Sequence, residues 1–308
     1  MKLLIRLIPA PLVRFFAKPY VAGDSVQKAI DVAAKLIDAQ GVLSTLDLLA
    51  ESIETREAAD QNREIYFQLI DAVADDPRFA DPAVRPTLSL KLSSYTTDPL
   101  EQEGGRAQGA AEAVRSISDR ARERGVNLTI DMESRHWTDF TLDFFDELAA
   151  AGHAHVGTVL QSRLHRTEAD LDRLPKGSRV RMVIGIYQEP ETIALTDKEA
   201  MKERMLHFAL HLLERGHFVE LGTHDEKWIR KFVDDALPRF GADRFEIQML
   251  YGVPRPKLIQ ELRRRGCVVR RYVPFAVGWS MAIAYLRRRL DEFPAMIWLV
   301  MKNWLWRG

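Results

Sequence analysis

The chain holds a single cysteine, Cys267, in 308 residues. One thiol excludes an internal disulfide framework and a thiolate metal cluster, and fits a reducing compartment. Set in an apolar run, Cys267 reads as a small core residue. There is no excess of charge of either sign: 44 Lys and Arg face 44 Asp and Glu, so neither a basic field for nucleic acid nor an acidic, disordered tail is indicated. No run approaches the ~20 consecutive apolar residues that a membrane-spanning helix needs. Two common phosphate-binding fingerprints are absent: no G-x-G-x-x-G follows a strand-like run, and no G-x-x-x-x-G-K-[ST] occurs anywhere.

What remains is an ordinary globular composition, 46% hydrophobic and 29% charged, with enough apolar residues for a substantial core. Eight short β-rich runs recur, at 44–49, 87–93, 126–132, 155–161, 179–187, 217–223, 244–250 and 267–274. Amphipathic helical stretches such as AEAVRSISDRARERG and KERMLHFALHLLERG separate them and end in glycine, a helix-stop signal. Alternating strand and helix implies a parallel sheet, and eight repeats imply a closed (β/α)8 barrel within the α/β class. An open doubly wound sheet is the runner-up. The expected organisation is one barrel domain over 1–308, with a helical segment at 1–42 and helices at 280–308. The most loop-like internal stretch, TTDPLEQEGGRAQG at 96–109, follows the second strand, where a barrel carries active-site loops.

In a barrel, functional groups stand at the C-terminal ends of strands. Polar residues collect there: Lys91, Asp131, Glu133, Gln161, Thr223, His224, Asp225, Gln248 and Tyr272. Arg181 lies nearer the middle of strand five, where a guanidinium needs an acceptor. Beyond the last strand, YLRRRLDE turns Tyr285, Arg288, Arg289 and Glu292 to one helix face, at i, i+3, i+4 and i+7. That face is either a solvated charged stripe or a fork-shaped carboxylate clamp steadied by its own glutamate. Three chemistries compete for the rim. Metal-assisted chemistry would use Asp131, Glu133, His136, His165, His224 and Asp225. Schiff-base chemistry would use Lys91, although a lysine beside Asp131 is better suited to stay protonated in an ion pair. Redox chemistry would use a bound cofactor. His153 and His155 precede strand four, at the opposite rim, and read as loop or core residues.

Nearly the whole chain resembles the monofunctional bacterial proline dehydrogenases. The likeness runs through YVAGDSVQKA, TLDLLAE, SLKLSS, TIDMES, VLQSRL, RMVIGIYQEP, LGTHD, FEIQMLYG and RRYVPF, and closes with the Y-x-x-R-R-x-x-E pattern of YLRRRLDE. It implies a distorted (β/α)8 barrel that uses FAD to oxidise L-proline to Δ1-pyrroline-5-carboxylate. It further implies a proline site made by Lys91, Leu250, Tyr272, Tyr285, Arg288, Arg289 and Glu292, with the two arginines on the carboxylate. FAD contacts would come from Met132, Gln161, Arg181, Ile184, Gly185, Ile186, Thr223, His224 and Gln248, with Asp131 and Arg181 in catalytic roles and no metal. The chain departs from the family pattern at Ile184, where a lysine is usual, and at Ala50 and Ala276, where glycines are usual.

The same resemblance implies a quinone as electron acceptor and a pyrroline-5-carboxylate dehydrogenase as downstream partner. The basic amino end (Lys2, Arg6, Arg14, Lys18) and the Trp-rich carboxyl end (Trp298, Trp304, Trp306) suit peripheral contact with the inner face of the plasma membrane by a cytoplasmic protein. Two other readings stay open on the residues: a metal-dependent barrel lyase or hydrolase using Asp131, Glu133 and His224, and a proline-binding sensor without turnover.

Overall fold

The computed structural model describes residues 19–50 and 53–278. Helix α1 (Val26–Gln40) leads into the barrel. Ser25 caps it by accepting the Lys28 N–H at 3.3 Å, and Gly41 ends it at φ 58°, the left-handed conformation that glycine adopts without cost. Eight strands follow: β1 (Leu43–Leu48), β2 (Thr87–Leu90), β3 (Leu128–Ile130), β4 (Val156–Gln161), β5 (Arg179–Val183), β6 (Phe218–Gly222), β7 (Phe245–Leu250) and β8 (Val268–Phe275). Between them stand α2 (Arg56–Asp75), α3 (Ala110–Arg124), α4 (Arg135–Ala150), α5 (Thr167–Arg173), α6 (Lys198–Glu214), α7 (Glu226–Phe240) and α8 (Pro256–Arg264). All neighbouring strands pair in parallel, and β1 closes on β8 from Leu43↔Arg270 to Leu48↔Phe275. The barrel is thus closed, and the open-sheet alternative is set aside.

Three strands fall short of their sequence runs by three residues or more. After β2 the chain tightens into a 3-10 turn at Leu92–Tyr95, so Lys91 stands just beyond the strand. β3 keeps three residues, and β5 ends at Val183, leaving Ile184, Gly185 and Ile186 in the following loop rather than in the strand. The apolar run continued there, but no ladder partner does.

Successive side chains alternate across a strand, and the two faces here differ in kind. The outward set, including Leu46, Leu88, Ile130, Val180, Leu221, Ile247 and Val273, is fully buried against the helices. Phe245, for example, meets Phe232 of α7 edge to face at 5.1 Å. Inside the barrel polar and charged residues predominate. Thr45 and Thr87 share a hydrogen bond of 2.8 Å between β1 and β2, and Arg270 grips Glu246 at 2.6 Å between β8 and β7. The apolar core is therefore a shell between sheet and helices, around an ionic interior. Cys267 is buried, as the sequence led us to expect. His153 is buried too, and its Nδ1 meets the Ser118 hydroxyl at 2.6 Å.

Candidate active site

The upper barrel interior is organised by Asp131, directly after β3. Its carboxylate receives the Arg181 guanidinium at 2.6 Å, the Tyr272 hydroxyl at 2.6 Å and the Ser89 hydroxyl at 2.7 Å. Lys91 Nζ lies 3.5 Å from the same group. Burial alone would raise the Asp131 pKa, but Lys91 and Arg181 outweigh it and hold the carboxyl below its usual range. Tyr272 is pushed the other way, by burial and then by the Asp131 and Asp47 carboxylates, and so stays a phenol that donates.

Lys91 has a closer partner than Asp131. Asp47 of β1, 2% exposed, takes its ammonium at 3.0 and 3.1 Å. Burial opposes the charge on Lys91, yet Asp47 and Asp131 together keep its pKa above the ordinary lysine value. Such a lysine is a fixed cation and not a nucleophile, which removes the Schiff-base reading. Asp47 itself is pushed up by burial, with Lys91 opposing the push.

Arg181 links this rim to the layer below. Its Nε donates to Glu220 at 3.2 Å, and its guanidinium carbon sits 5.2 Å from the centre of the Tyr272 ring. Burial works against Arg181, but Asp131 and then Glu220 keep its pKa raised. Glu220 also takes Arg179 and the Gln248 amide, the latter at 2.6 Å. Gln248 reaches Glu246 at 2.7 Å, and Glu246 is held down to about 2, against the effect of burial, by Arg270 and Arg179. Lys91, Arg179, Arg181 and Arg270 thus interleave with Asp47, Asp131, Glu220 and Glu246. Four cations match four anions, the condition for burying charges without a large net penalty. A carboxylate ligand entering above this set would need further positive charge.

The remaining rim residues fall into two groups. Gln161, 3% exposed, donates to the Glu133 carbonyl at 2.7 Å and packs beneath Gly185, whose φ is +92°. A Cβ at Gly185 would collide with Gln161 Oε1 and the Arg163 side chain, so the loop packs here so closely on Gln161 and Arg163 that only glycine fits. Met132 is buried, Ile184 is half-buried, and Ile186 and Leu250 are exposed at the strand ends. Thr223 accepts the Asp225 N–H at 3.2 Å, and His224 accepts the Leu250 N–H at 3.1 Å. Tyr285, Arg288, Arg289 and Glu292 lie outside the described residues.

The metal candidates do not assemble. Glu133 holds the Ser93 hydroxyl at 2.5 Å and its N–H at 3.1 Å, and burial raises its pKa to about 7. Asp225 caps α7 and pairs with Lys202 at 2.8 Å. His136 is exposed, and His165 faces the Glu191 carbonyl at 3.2 Å. Among the described residues, no group of three or more His, Cys, Asp and Glu is arranged to hold a metal ion.

Sequence reasoning missed Asp47, Glu220 and Glu246. Each is an acid at a strand position that alternates inward: Asp47 in STLDLL, Glu220 in HFVELGT and Glu246 in RFEIQML. Pairing Glu220 and Glu246 with the inward arginines of β5 and β8, and Asp47 with Lys91, was the available signal.

Comparison with known proteins decides the relationship. Residues 30–296 match the family model described as Proline dehydrogenase. The chain belongs to that family. A proline dehydrogenase from Deinococcus radiodurans is 34% identical over 299 residues, covering 94% of this chain and 90% of that protein. Proline dehydrogenase 1 of Bacillus subtilis subsp. natto is 32% identical over 309 residues, covering 98% and 95% respectively. Among solved structures, proline utilization A from Bdellovibrio bacteriovorus, inactivated by N-propargylglycine, superposes with a TM-score of 0.78 at 22% identity. It covers 90% of this chain, which spans 32% of that longer one. At that identity the likeness speaks for the barrel alone. Among the described residues, no helix is long and apolar enough to cross a membrane.

Proposed function

We propose that this proline dehydrogenase family member oxidises L-proline to Δ1-pyrroline-5-carboxylate, with FAD as hydride acceptor and a quinone as the final electron acceptor. The observation that carries the reading is the rim built around Asp131, in which a fixed ammonium, a guanidinium and a phenol share one carboxylate. Family membership supplies the substrate class.

The residues present fit a flavin. Arg181 Nη2, Gln248 Oε1 and His224 Nδ1 are buried polar atoms without a hydrogen-bond partner, which a heterocycle edged with donors and acceptors would satisfy. Met132, Gln161, Arg181, Ile184, Gly185, Ile186, Thr223, His224 and Gln248 are the residues assigned to hold it. When bound, the flavin supplies the hydride acceptor that no side chain can provide.

The protein's own part is orientation and electrostatics. Arg288 and Arg289 clamp the proline carboxylate, Glu292 keeps the pair from splaying, and Lys91 adds a third positive contact. These arginines answer the neutrality of the buried set, because Lys91 is already matched by Asp47. Tyr272, Tyr285 and Leu250 enclose the ring and fix the C5 hydrogen towards the acceptor; such positioning lowers a barrier by roughly 7–11 kcal/mol at best. Asp131 holds Arg181, Tyr272 and Lys91 in register. Arg181, charged and partly unpartnered, stabilises negative charge that develops beside it.

The chain reads as one barrel domain over 1–308, working in the cytoplasm, with its basic amino end at a membrane surface and its product passed to a pyrroline-5-carboxylate dehydrogenase. The test is a substrate panel with an artificial dye as acceptor. Turnover with L-proline, and none with D-proline or open-chain amino acids, supports the reading. A flavin-loaded protein that turns over none of them, with dye or quinone, refutes it.

A further inference from the structure

Glu220 stands in the middle of β6, level with Arg181 of β5 on one side and with Glu246 of β7 on the other. Two carboxylates side by side on neighbouring strands repel. Arg181 already holds Asp131 at 2.6 Å, and Glu246 already holds Arg270 at 2.6 Å, so Glu220 is a second acid for groups that each have a charged partner. It is 1% exposed, and its carboxylate is taken by Arg179, Arg181 and Gln248. Such a residue has no free edge for a ligand, and what it does it does through its neighbours.

Two of those neighbours are each left with one unpartnered buried atom. Arg181 gives Nε to Glu220 at 3.2 Å, and Nη1 to Asp131 at 2.6 Å and to Ser89 at 3.1 Å. Anchors on β6 and at the end of β3 fix the plane of a rigid guanidinium, so Nη2, which has no partner, keeps one direction. Gln248 donates Nε2 to Glu220 at 2.6 Å and to Glu246 at 2.7 Å. An amide between two carboxylates turns its NH2 to them, because they only accept. Its Oε1 is thereby committed to the other side, where it too is buried without a partner. One carboxylate thus sets a free donor and a free acceptor at the same time.

Resting on the flavin reading proposed above, we infer that Glu220 is a positioning residue for the redox step, which acts from beneath the rim by holding Arg181 Nη2 and Gln248 Oε1 in place and by offsetting part of the Arg181 charge. A guanidinium with only one acid beside it would favour the reduced, more negative form of a flavin more strongly. Glu220 therefore holds the reduction potential down.

The test is the reduction potential of the bound flavin in the full-length protein, titrated chemically against an indicator dye. Glu220→Gln keeps the shape and removes the charge. It should raise the potential by about 30 mV, which is a tenfold shift between the two forms of a two-electron couple. Proline KM should hold, because Lys91 is kept by Asp47 and Asp131 and not by Glu220. Should the single variant not fold, Arg179→Gln combined with Glu220→Gln removes one cation and one anion, leaves the buried set neutral and still takes the second acid from Arg181. The same rise is then expected. A potential that is unmoved or lowered, whatever happens to stability, overturns the role and leaves Glu220 a structural ion-pair partner. A parent that takes up flavin but is not reduced by L-proline refutes the proposed function, while the dye titration still decides the role of Glu220. A parent that takes up no flavin overturns both.

Discussion

Replacing Asp47 by asparagine removes one charge from an eight-member buried set and keeps its shape. The carboxylate is 2% exposed and holds Lys91 at 3.0 and 3.1 Å, with Asp131 further off at 3.5 Å. At an effective dielectric of ~20, a pair 3 Å apart attracts by about 5 kcal/mol. Part of that is recovered, because burial strains the Asp47 charge, and the net cost of breaking a buried pair is about 3–5 kcal/mol. The expected outcome is a loss near the lower end of that range in urea unfolding at pH 7. The pH dependence carries a second signature. Lys91 has a folded-state pKa above its unfolded value, so its stabilisation is complete below about 10.5 and is lost as pH rises through the folded value. Asp47→Asn lowers that folded value, and the alkaline loss should be smaller and end at a lower pH in the variant. Proline KM should climb over the same alkaline range while flavin content holds, and Asp47→Glu should restore part of both. Equal stability and superimposable alkaline profiles in parent and Asp47→Asn would refute the claim that Asp47 fixes Lys91.

Glu133, whose pKa is raised to about 7 chiefly by burial, favours folding fully below its unfolded value and loses that contribution as pH rises through about 7. Glu133→Gln should therefore gain on the parent between pH 5 and pH 8, by up to about 3 kcal/mol; a pH-independent difference in melting would contradict this. Gly185→Ala should cost at least about 1–3 kcal/mol, from strain at φ +92°, and should lower the flavin retained on purification; full flavin retention would argue against a cofactor at this loop. Arg181→Met leaves Asp131 and Glu220 without a shared partner and should destabilise by about 3–5 kcal/mol, read by denaturation of the flavin-free protein. A near-neutral effect would mean that the two acids find other partners.

The barrel was legible because its strands alternate with amphipathic helices at a regular spacing, and because Lys91 and Asp131 stand just past their strands; Tyr272, expected at a strand end, lies within β8 and reaches the site by facing inward. Arg181 was legible as a buried cation in need of an acceptor. Its acceptors were less so: Glu220 and Glu246 read as stray polar positions until register brings β5, β6, β7 and β8 together across long sequence separations. Asp47 was hidden because Lys91 had a plausible partner in Asp131, and sequence does not say which of two acids is nearer. The end of β5 was overrun because VIGIY keeps a β-rich composition past the last ladder pair at Gln161↔Val183. The clamp residues Tyr285, Arg288, Arg289 and Glu292 rest on their helical spacing and on the family likeness.

The central claim is hydride transfer from proline to a bound flavin, and an anaerobic visible spectrum of the purified full-length protein tests it most directly. The account predicts an oxidised-flavin spectrum that bleaches on addition of L-proline and is unmoved by D-proline. A flavin spectrum that stays oxidised with saturating L-proline, or a protein that takes up no flavin when FAD is supplied, would contradict it.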